Sequence, residues 1–355
     1  MAALLFHTYA VEHTPPATSH DVARLAGVSQ PTVSRALRGD LRLSEETRKR
    51  VLEAAKSLHY VPSQRGRSLA TRSTGQIGIV VSDLGNYFYL EVLDALHDAL
   101  RAVDLRMLVL TPDAHEQIQL EQLVDGSLDG AVLTTTLLGS RLPHDLAGRG
   151  FPFVLLNREV DDCPGDVCVV DSRAGATLAA EAMLSLGHTR IAAVFGPADT
   201  STGRDRESGF RDVLAAAGIT LADHRWRRSP FDYDCGYAST LALLDAAAEI
   251  GEPPPTALFC ANDVLAFGAF NALLSRGLKI PDQLTLIGFD DVRLTGWEAF
   301  QITTVRQDVP RMVRTATELL LSRIASVSEG AGEPPRRLVL PATLVRRGTH
   351  GPPPS

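Results

Sequence analysis

Cysteine, tryptophan and methionine are scarce in this chain of 355 residues, with four, two and four copies. Cys163, Cys168, Cys235 and Cys260 show no spacing that would set two of them beside a second cysteine pair or a histidine pair, so a zinc site is excluded by pattern. Cys163 and Cys168 are near enough in sequence to close a loop disulfide, but so sparse a set in so long a chain reads as reduced thiols. Export and membrane signals are missing as well. The opening MAALLFHTYA has no basic leader and too short an apolar run for a signal peptide or a span, so the expected location is cytoplasmic, beside the nucleoid.

Enzyme signatures are equally thin. No G-x-G-x-x-G follows the first predicted strand, and no G-x-x-x-x-G-K-[ST], G-x-S-x-G or H-E-x-x-H occurs. His20, His59 and His188 stand alone. The chain is therefore read as a non-enzyme, with no catalytic residue, no cofactor and no metal.

What is present begins with an uneven charge. The whole chain carries a formal −7, which by itself argues against a polyanion partner. From Thr18 to Thr74, however, there are 11 basic against 5 acidic side chains, a surplus of six that leaves −13 on the rest. A small basic head on an acidic body suits a nucleic-acid-binding module joined to something else.

The head contains one stretch, Thr18 to Arg38, whose pattern fixes a geometry. Val22, Leu25 and Ala26 share one helical face, Gly27-Val28-Ser29 interrupts, and Val33, Ala36 and Leu37 resume on a second face. Thr18 caps the first helix with Asp21 three residues on, Ser29 caps the second, and Pro31 falls in its first turn, where a missing N–H costs little. With the apolar faces buried, Gln30, Thr32, Ser34, Arg35 and Arg38 point outward, as in a helix-turn-helix. Ser44 caps a third helix carrying Val51, Ala54, Ala55 and Leu58, which Tyr60-Val61-Pro62 ends. Ser63 to Arg72 is a short basic link, open to reading as a flexible linker, in which Leu69 has no core to enter.

From Gln76 onward, short β-branched runs alternate with amphipathic helical patterns. The runs are 77–81, 107–110, 131–133, 153–156, 191–195, 257–260 and 284–287, and this order argues for two doubly wound parallel sheets dividing near Asp171. Ligands in such folds bind beyond the carboxyl ends of the strands. That filter selects Asp83, Asn86, Tyr87, Phe88, Asn157, Arg158, Thr202, Arg206, Phe231, Asn262, Asp263, Asp290 and Asp291, with Trp297 as a further flat face. Planar polar groups beside aromatic rings suit sugar hydroxyls, although an Asn or Asp after a strand is as often a helix cap.

Over Thr18 to about Thr349 the chain resembles the LacI/GalR family of bacterial transcriptional repressors. The resemblance rests on DVARLAGVSQPTVSRAL (Asp21 to Leu37), the run from Leu43 to Ser63, RSLATRSTGQIGIVV (Arg67 to Val81), LGHTRIAAVFGP (Leu186 to Pro197), FCANDVLAFGAF (Phe259 to Phe270), LIGFDDV (Leu286 to Val292) and TTVRQD (Thr303 to Asp308). It implies a sequence-specific repressor, homodimeric or a dimer of dimers, that binds pseudo-palindromic double-stranded operator DNA under the control of a small effector. Gln30, Pro31 and Arg35 would read bases. Thr18, Thr32, Ser34, Arg38, Tyr60, Arg67 and Ala70 complete the DNA-binding set, and Leu69 would wedge into the minor groove. Gly66 and Ser63 depart from the family's hinge, where alanine and asparagine are usual.

The resemblance also implies an all-α head on a periplasmic-binding-protein-like α/β body with three crossovers, near Ser172, Thr304 and Pro334. The implied effector residues are Tyr87, Phe88, Thr202, Arg206, Phe231, Asn262 and Asp290, and the implied effector is a sugar or sugar derivative. A purine or nucleoside is the alternative, disfavoured because Thr200 stands where an arginine is expected. An exported sugar-binding protein or a sugar-active enzyme would share the body but not the head. The expected boundaries are a disordered extension over 1–17, the head over 18–62, the hinge over 63–75 and the body over 76–348. Within the body, 76–172 and 305–333 form the first subdomain and 173–304 and 334–348 the second, leaving a disordered tail over 349–355.

Overall fold

The computed structural model describes residues 17–37, 39–40, 42–60, 73–112 and 120–354. The chain divides into two compact units, one up to Thr74 and one from Gly75 onward. Residues 1–16 of the extension expected over 1–17 and most of the hinge, with Arg38, Arg67, Leu69 and Ala70, lie outside the described residues.

In the first unit, helices α1 (Ser19–Ala26), α2 (Gln30–Leu37) and α3 (Glu45–Ser57) enclose a small core of Val22, Ala23, Ala26, Val33, Ala36, Val51, Ala54 and Ala55. Thr18 accepts from Asp21 N–H while the Asp21 carboxylate accepts from Thr18 N–H, a reciprocal cap. Gly27 takes the left-handed conformation, φ +63°, that turns α1 into α2, a conformation glycine adopts without steric cost. Two details differ from the sequence reading. Leu25 is 57 % exposed and Ala23 takes its place in the core, because the three-helix contact covers a narrower stripe than the helical period suggests. The Ser29 hydroxyl bonds the Thr32 hydroxyl at 2.8 Å, side chain to side chain, where a bond to a backbone N–H of α2 was expected.

The second unit holds two six-stranded sheets. Sheet A is ordered β11-β5-β4-β3-β1-β2 and sheet B β12-β10-β9-β8-β6-β7. The strands are β1 (Gln76–Val80), β2 (Arg106–Leu110), β3 (Gly130–Leu133), β4 (Phe153–Leu156), β5 (Asp166–Val170), β6 (Ile191–Phe195), β7 (Trp226–Arg228), β8 (Ala257–Cys260), β9 (Thr285–Asp290), β10 (Thr303–Arg306), β11 (Arg337–Leu340) and β12 (Thr343–Val345). Every pairing is parallel except β10 with β12. Helices α4 (Tyr87–Arg101), α5 (Leu120–Val124), α6 (Leu142–Gly148) and α11 (Val309–Glu329) belong with sheet A, and α7 (Ser172–Ser185), α8 (Ser201–Ala216), α9 (Tyr233–Glu249) and α10 (Asp263–Ser275) with sheet B. Central strands are buried on both faces, which is why they read as continuous apolar runs.

The chain passes between the subdomains at Asp171, at 307–308 and at 341–342. Residues 334–340 were expected in the second subdomain, yet β11 pairs with β5 in sheet A, so the last crossing falls after Leu340. The expected disordered tail is docked through residue 351. Thr349 is 2 % exposed, its hydroxyl accepts from Thr303 N–H at 2.8 Å, and it donates to Leu286 C=O at 2.7 Å. Gly351 C=O accepts from the Thr285 hydroxyl at 2.7 Å and lies 2.9 Å from His188 Nε2, so the lone His188 is a buried structural group. All four cysteines are free thiols.

A candidate ligand cleft and a candidate nucleic-acid face

Both sheets present the carboxyl ends of their parallel strands to one cleft, and the loops and helix starts there carry its polar groups. At its floor Arg206, in the second turn of α8, is 2 % exposed. Its Nη1 donates to Ala261 C=O at 2.7 Å, its Nη2 lies 3.1 Å from Asp290 Oδ1, and its guanidinium carbon sits 3.7 Å from the centre of the Phe289 ring. Nε has no hydrogen-bond partner among the described residues. Asp290 ends β9 at φ +119° and also accepts from Gln307 Nε2 at 2.7 Å. Burial raises its pKa to about 6, a rise that the adjacent Arg206 charge and the Gln307 bond hold down only in part.

Asn262 and Asp263 follow β8. Asn262 accepts from Leu265 N–H at 2.9 Å, the helix-cap role that its position after a strand allows. Asp263 is fully buried, accepting from the Thr304 hydroxyl at 2.6 Å and from Val292 N–H at 3.0 Å, and so ties the loop after β9 to α10. Burial, with Asp290 nearby, holds its carboxyl well above the usual range.

The cleft opens above this floor as a cavity of about 540 Å³. Tyr87 and Phe231, both selected from the sequence, line it, whereas Arg206, Asn262 and Asp290, each 4 % exposed or less, are not among its lining residues. Phe88 and Thr202 do not face it. The Phe88 ring is buried in the core against Tyr89, and Thr202 is enclosed in the first turn of α8 beside Thr200. Asp83 lines the opening, its carboxyl pushed upward by burial although the Arg158 charge opposes the shift.

Arg158 passed the strand-end filter without entering the implied effector set, and the fold places it in the cavity wall. It follows Asn157, held at φ +71°, and its guanidinium stands 5.7 Å from the Phe231 ring and 5.9 Å from Tyr89. It is 8 % exposed, and its Nε has no partner among the described residues. A buried cation beside a cavity is a natural partner for a polar ligand. Tyr89, which accepts from Asn157 Nδ2 at 3.2 Å, was missed because it sits in an apolar helical face. Gln307 was visible only inside the motif Thr303 to Asp308.

On the head, Thr18, Gln30, Pro31 and Arg35 are exposed, and Thr32, Ser34 and Tyr60 are half-buried. Gln30 Nε2 donates to the Ser19 hydroxyl at 3.2 Å, which leaves its carbonyl oxygen to accept. Tyr60 packs against the small core beside Leu58.

Two family models match the chain: "Bacterial regulatory proteins, lacI family" over residues 18–63, and "Periplasmic binding protein-like domain" over residues 180–350. The ribose operon repressor of Haemophilus influenzae is 32 % identical over 93 % of this chain and 98 % of its own length. Among solved structures, the complex of the transcriptional regulator CelR with cellobiose is 30 % identical at TM-score 0.69, covering 94 % of this chain and 99 % of that one. The lac repressor dimer bound to operator and the anti-inducer ONPF is 25 % identical at TM-score 0.81, covering 95 % and 100 %.

Proposed function

The chain belongs to the lacI family of bacterial regulatory proteins, and from that membership we propose that it is a dimeric transcriptional repressor whose grip on operator DNA is set by a sugar bound in the cleft. Members of the family are DNA-binding regulators, not enzymes. Among the described residues no helix is long and apolar enough to cross a membrane.

The observation that carries the sugar reading is the cleft floor. Arg206 and Asp290 neutralise each other at 3.1 Å, so the pair offers donors and acceptors without net charge, as neutral hydroxyls require. Arg158 adds a guanidinium in the wall, and Phe231 and Tyr87 offer flat faces to the C–H side of a sugar ring. The cellobiose bound to CelR supports the same class of ligand.

On the DNA side, Gln30 and Arg35 at the exposed face of α2 read base edges, Pro31 meets an apolar feature such as a thymine methyl, and Thr18, Thr32, Ser34 and Tyr60 bond phosphates. Arg38, Arg67, Leu69 and Ala70 extend this set by sequence alone. The lac repressor structure, a dimer bound to operator, supports operator DNA as the partner. Closing the cleft on a sugar turns the subdomains about the three crossings and so changes the spacing of two heads, and the two affinities are then reciprocally coupled.

The test is a thermal-shift screen of the purified protein against mono- and disaccharides, with purine bases as the contrasting set. Each hit is then retested on an operator obtained by selection from random DNA. A sugar that raises the unfolding midpoint and changes operator affinity supports the reading; a purine that does both, with no sugar doing so, rejects it.

A further inference from the structure

Neither Arg206 nor Asp290 lines the cavity, and much of its surface is two walls that the sugar reading does not use. One wall is aromatic and belongs to the second subdomain: Tyr233 from the start of α9, Phe267 from α10 and Phe300 from the loop before β10. Phe267 and Phe300 pack with ring centres 4.9 Å apart, and Tyr87 meets Phe267 edge-on at 6.3 Å. The other wall carries Asp83.

The backbone is built to hold this wall. A Cβ on Gly236 would stand 2.5 Å from Leu265 C=O, and a Cβ on Gly268 would collide with Tyr233 C=O. Only glycine at both positions lets α9 and α10 touch backbone to backbone, and that contact brings Tyr233 and Phe267 to the same opening. Tyr87 and Tyr233 remain 42 % and 40 % exposed, so a substantial apolar surface stays wet.

A cavity of about 540 Å³ falls well inside the range of clefts that enclose drug-sized ligands. A single hexose, with about a dozen non-hydrogen atoms, is small for that space. Flat rings beside carboxylates that accept from hydroxyls match the two faces of a pyranose, apolar C–H on one side and hydroxyl on its edge. We infer that the effector is a disaccharide, with one sugar on the Arg206–Asp290 floor and the second against Tyr233, Phe267 and Phe300, its hydroxyls donating to Asp83. This inference rests on the sugar reading of the floor and extends it.

The experiment is calorimetry of the full-length protein with monosaccharides and with the disaccharides built from them, in α and β linkages. At least one disaccharide is expected to bind tenfold or more tighter than either of its component sugars. Tyr233→Ala, at an exposed position that leaves folding intact, should remove most of that advantage and leave the component sugar's affinity unchanged; Phe300→Ala should do the same. A monosaccharide that binds as tightly as every disaccharide containing it would overturn the inference while leaving the sugar reading in place. So would a Tyr233→Ala protein that keeps the full advantage, or a nitrophenyl glycoside that outbinds all disaccharides. If no sugar of either size binds and a purine base does, the sugar reading itself fails.

Discussion

Arg206 and Asp290 stand 3.1 Å apart at the bottom of the cleft, both almost fully buried, and the arginine is flattened against Phe289 on its other side. Burying the two charges is tolerable only because each satisfies the other, so a residue implied to bind ligand also holds the fold. Asp290→Ala leaves an uncompensated buried guanidinium and should cost about 3–5 kcal/mol of stability as well as the effector response. Urea unfolding checks the first effect and calorimetry the second. An unfolding curve that superimposes on the parent's would contradict the pairing.

Under the proposed function the same carboxyl should make ligand binding pH-dependent. Its pKa rises from 3.8 to about 6 in the folded protein, chiefly through burial. Sugar hydroxyls donate to the ionised form, so affinity should weaken as pH falls through about 6 and level off above it. For stability the sign is opposite to that of an ordinary paired carboxylate. Between 4 and 6 the unfolded chain releases this proton and the folded one keeps it, so this group's contribution declines as pH rises through that window. Calorimetry at pH 5, 6, 7 and 8 with the sugar identified by screening reads the binding limb; equal affinity at pH 5 and 8 would refute it.

Arg35 on the exposed face of α2 should be worth about 1–3 kcal/mol on operator DNA, and Arg35→Ala should relax specificity at one base pair per half-site. Random-sequence selection with the variant measures this directly. A selected site identical to the parent's would place Arg35 on the phosphates instead.

Removing residues 349–355 should lower the thermal midpoint although the deleted segment is short. Thr349 and Gly351 share hydrogen bonds with Thr285, Leu286 and Thr303, and the deletion leaves those buried groups without partners. Each costs roughly 1–3 kcal/mol. A midpoint unchanged within error would show the tail to be dispensable.

The strong signals in the sequence were the periodic ones. The head showed through its caps and the Gly27 break, and most parallel strands through apolar runs. The strands that left no such trace lack that texture or are cut short by polar residues: β7 is Trp-Arg-Arg, β11 exposes three of its four residues, the interior β10 buries threonines that read as polar loop, and the interior β5 starts at Asp166. The third crossing was misplaced for that reason, since β11 lacks the apolar texture that would have marked it. Of the positions selected after the strands, Asp83, Tyr87, Arg158 and Phe231 line the cavity, because the loops there carry its walls, while Phe88 and Thr202 turn into the core. Tyr233, Phe267 and Phe300 were not legible, because an aromatic residue on a helix looks the same whether it fills a core or walls a cavity. The tail's polar and proline-rich composition resembles that of a free terminus, and only its tertiary partners show otherwise.

The second crossing has a mechanical consequence. Gln307 lies on it, between β10 and α11, and its side chain grips Asp290. Three covalent links allow one subdomain to swing against the other but not to slide away, so the body moves much as a door on three hinges. One of those hinges is wired to the latch. Under the proposed function, a ligand bound at Asp290 would pull on the pivot itself, and α11, which starts two residues later, would carry that tug to the first subdomain.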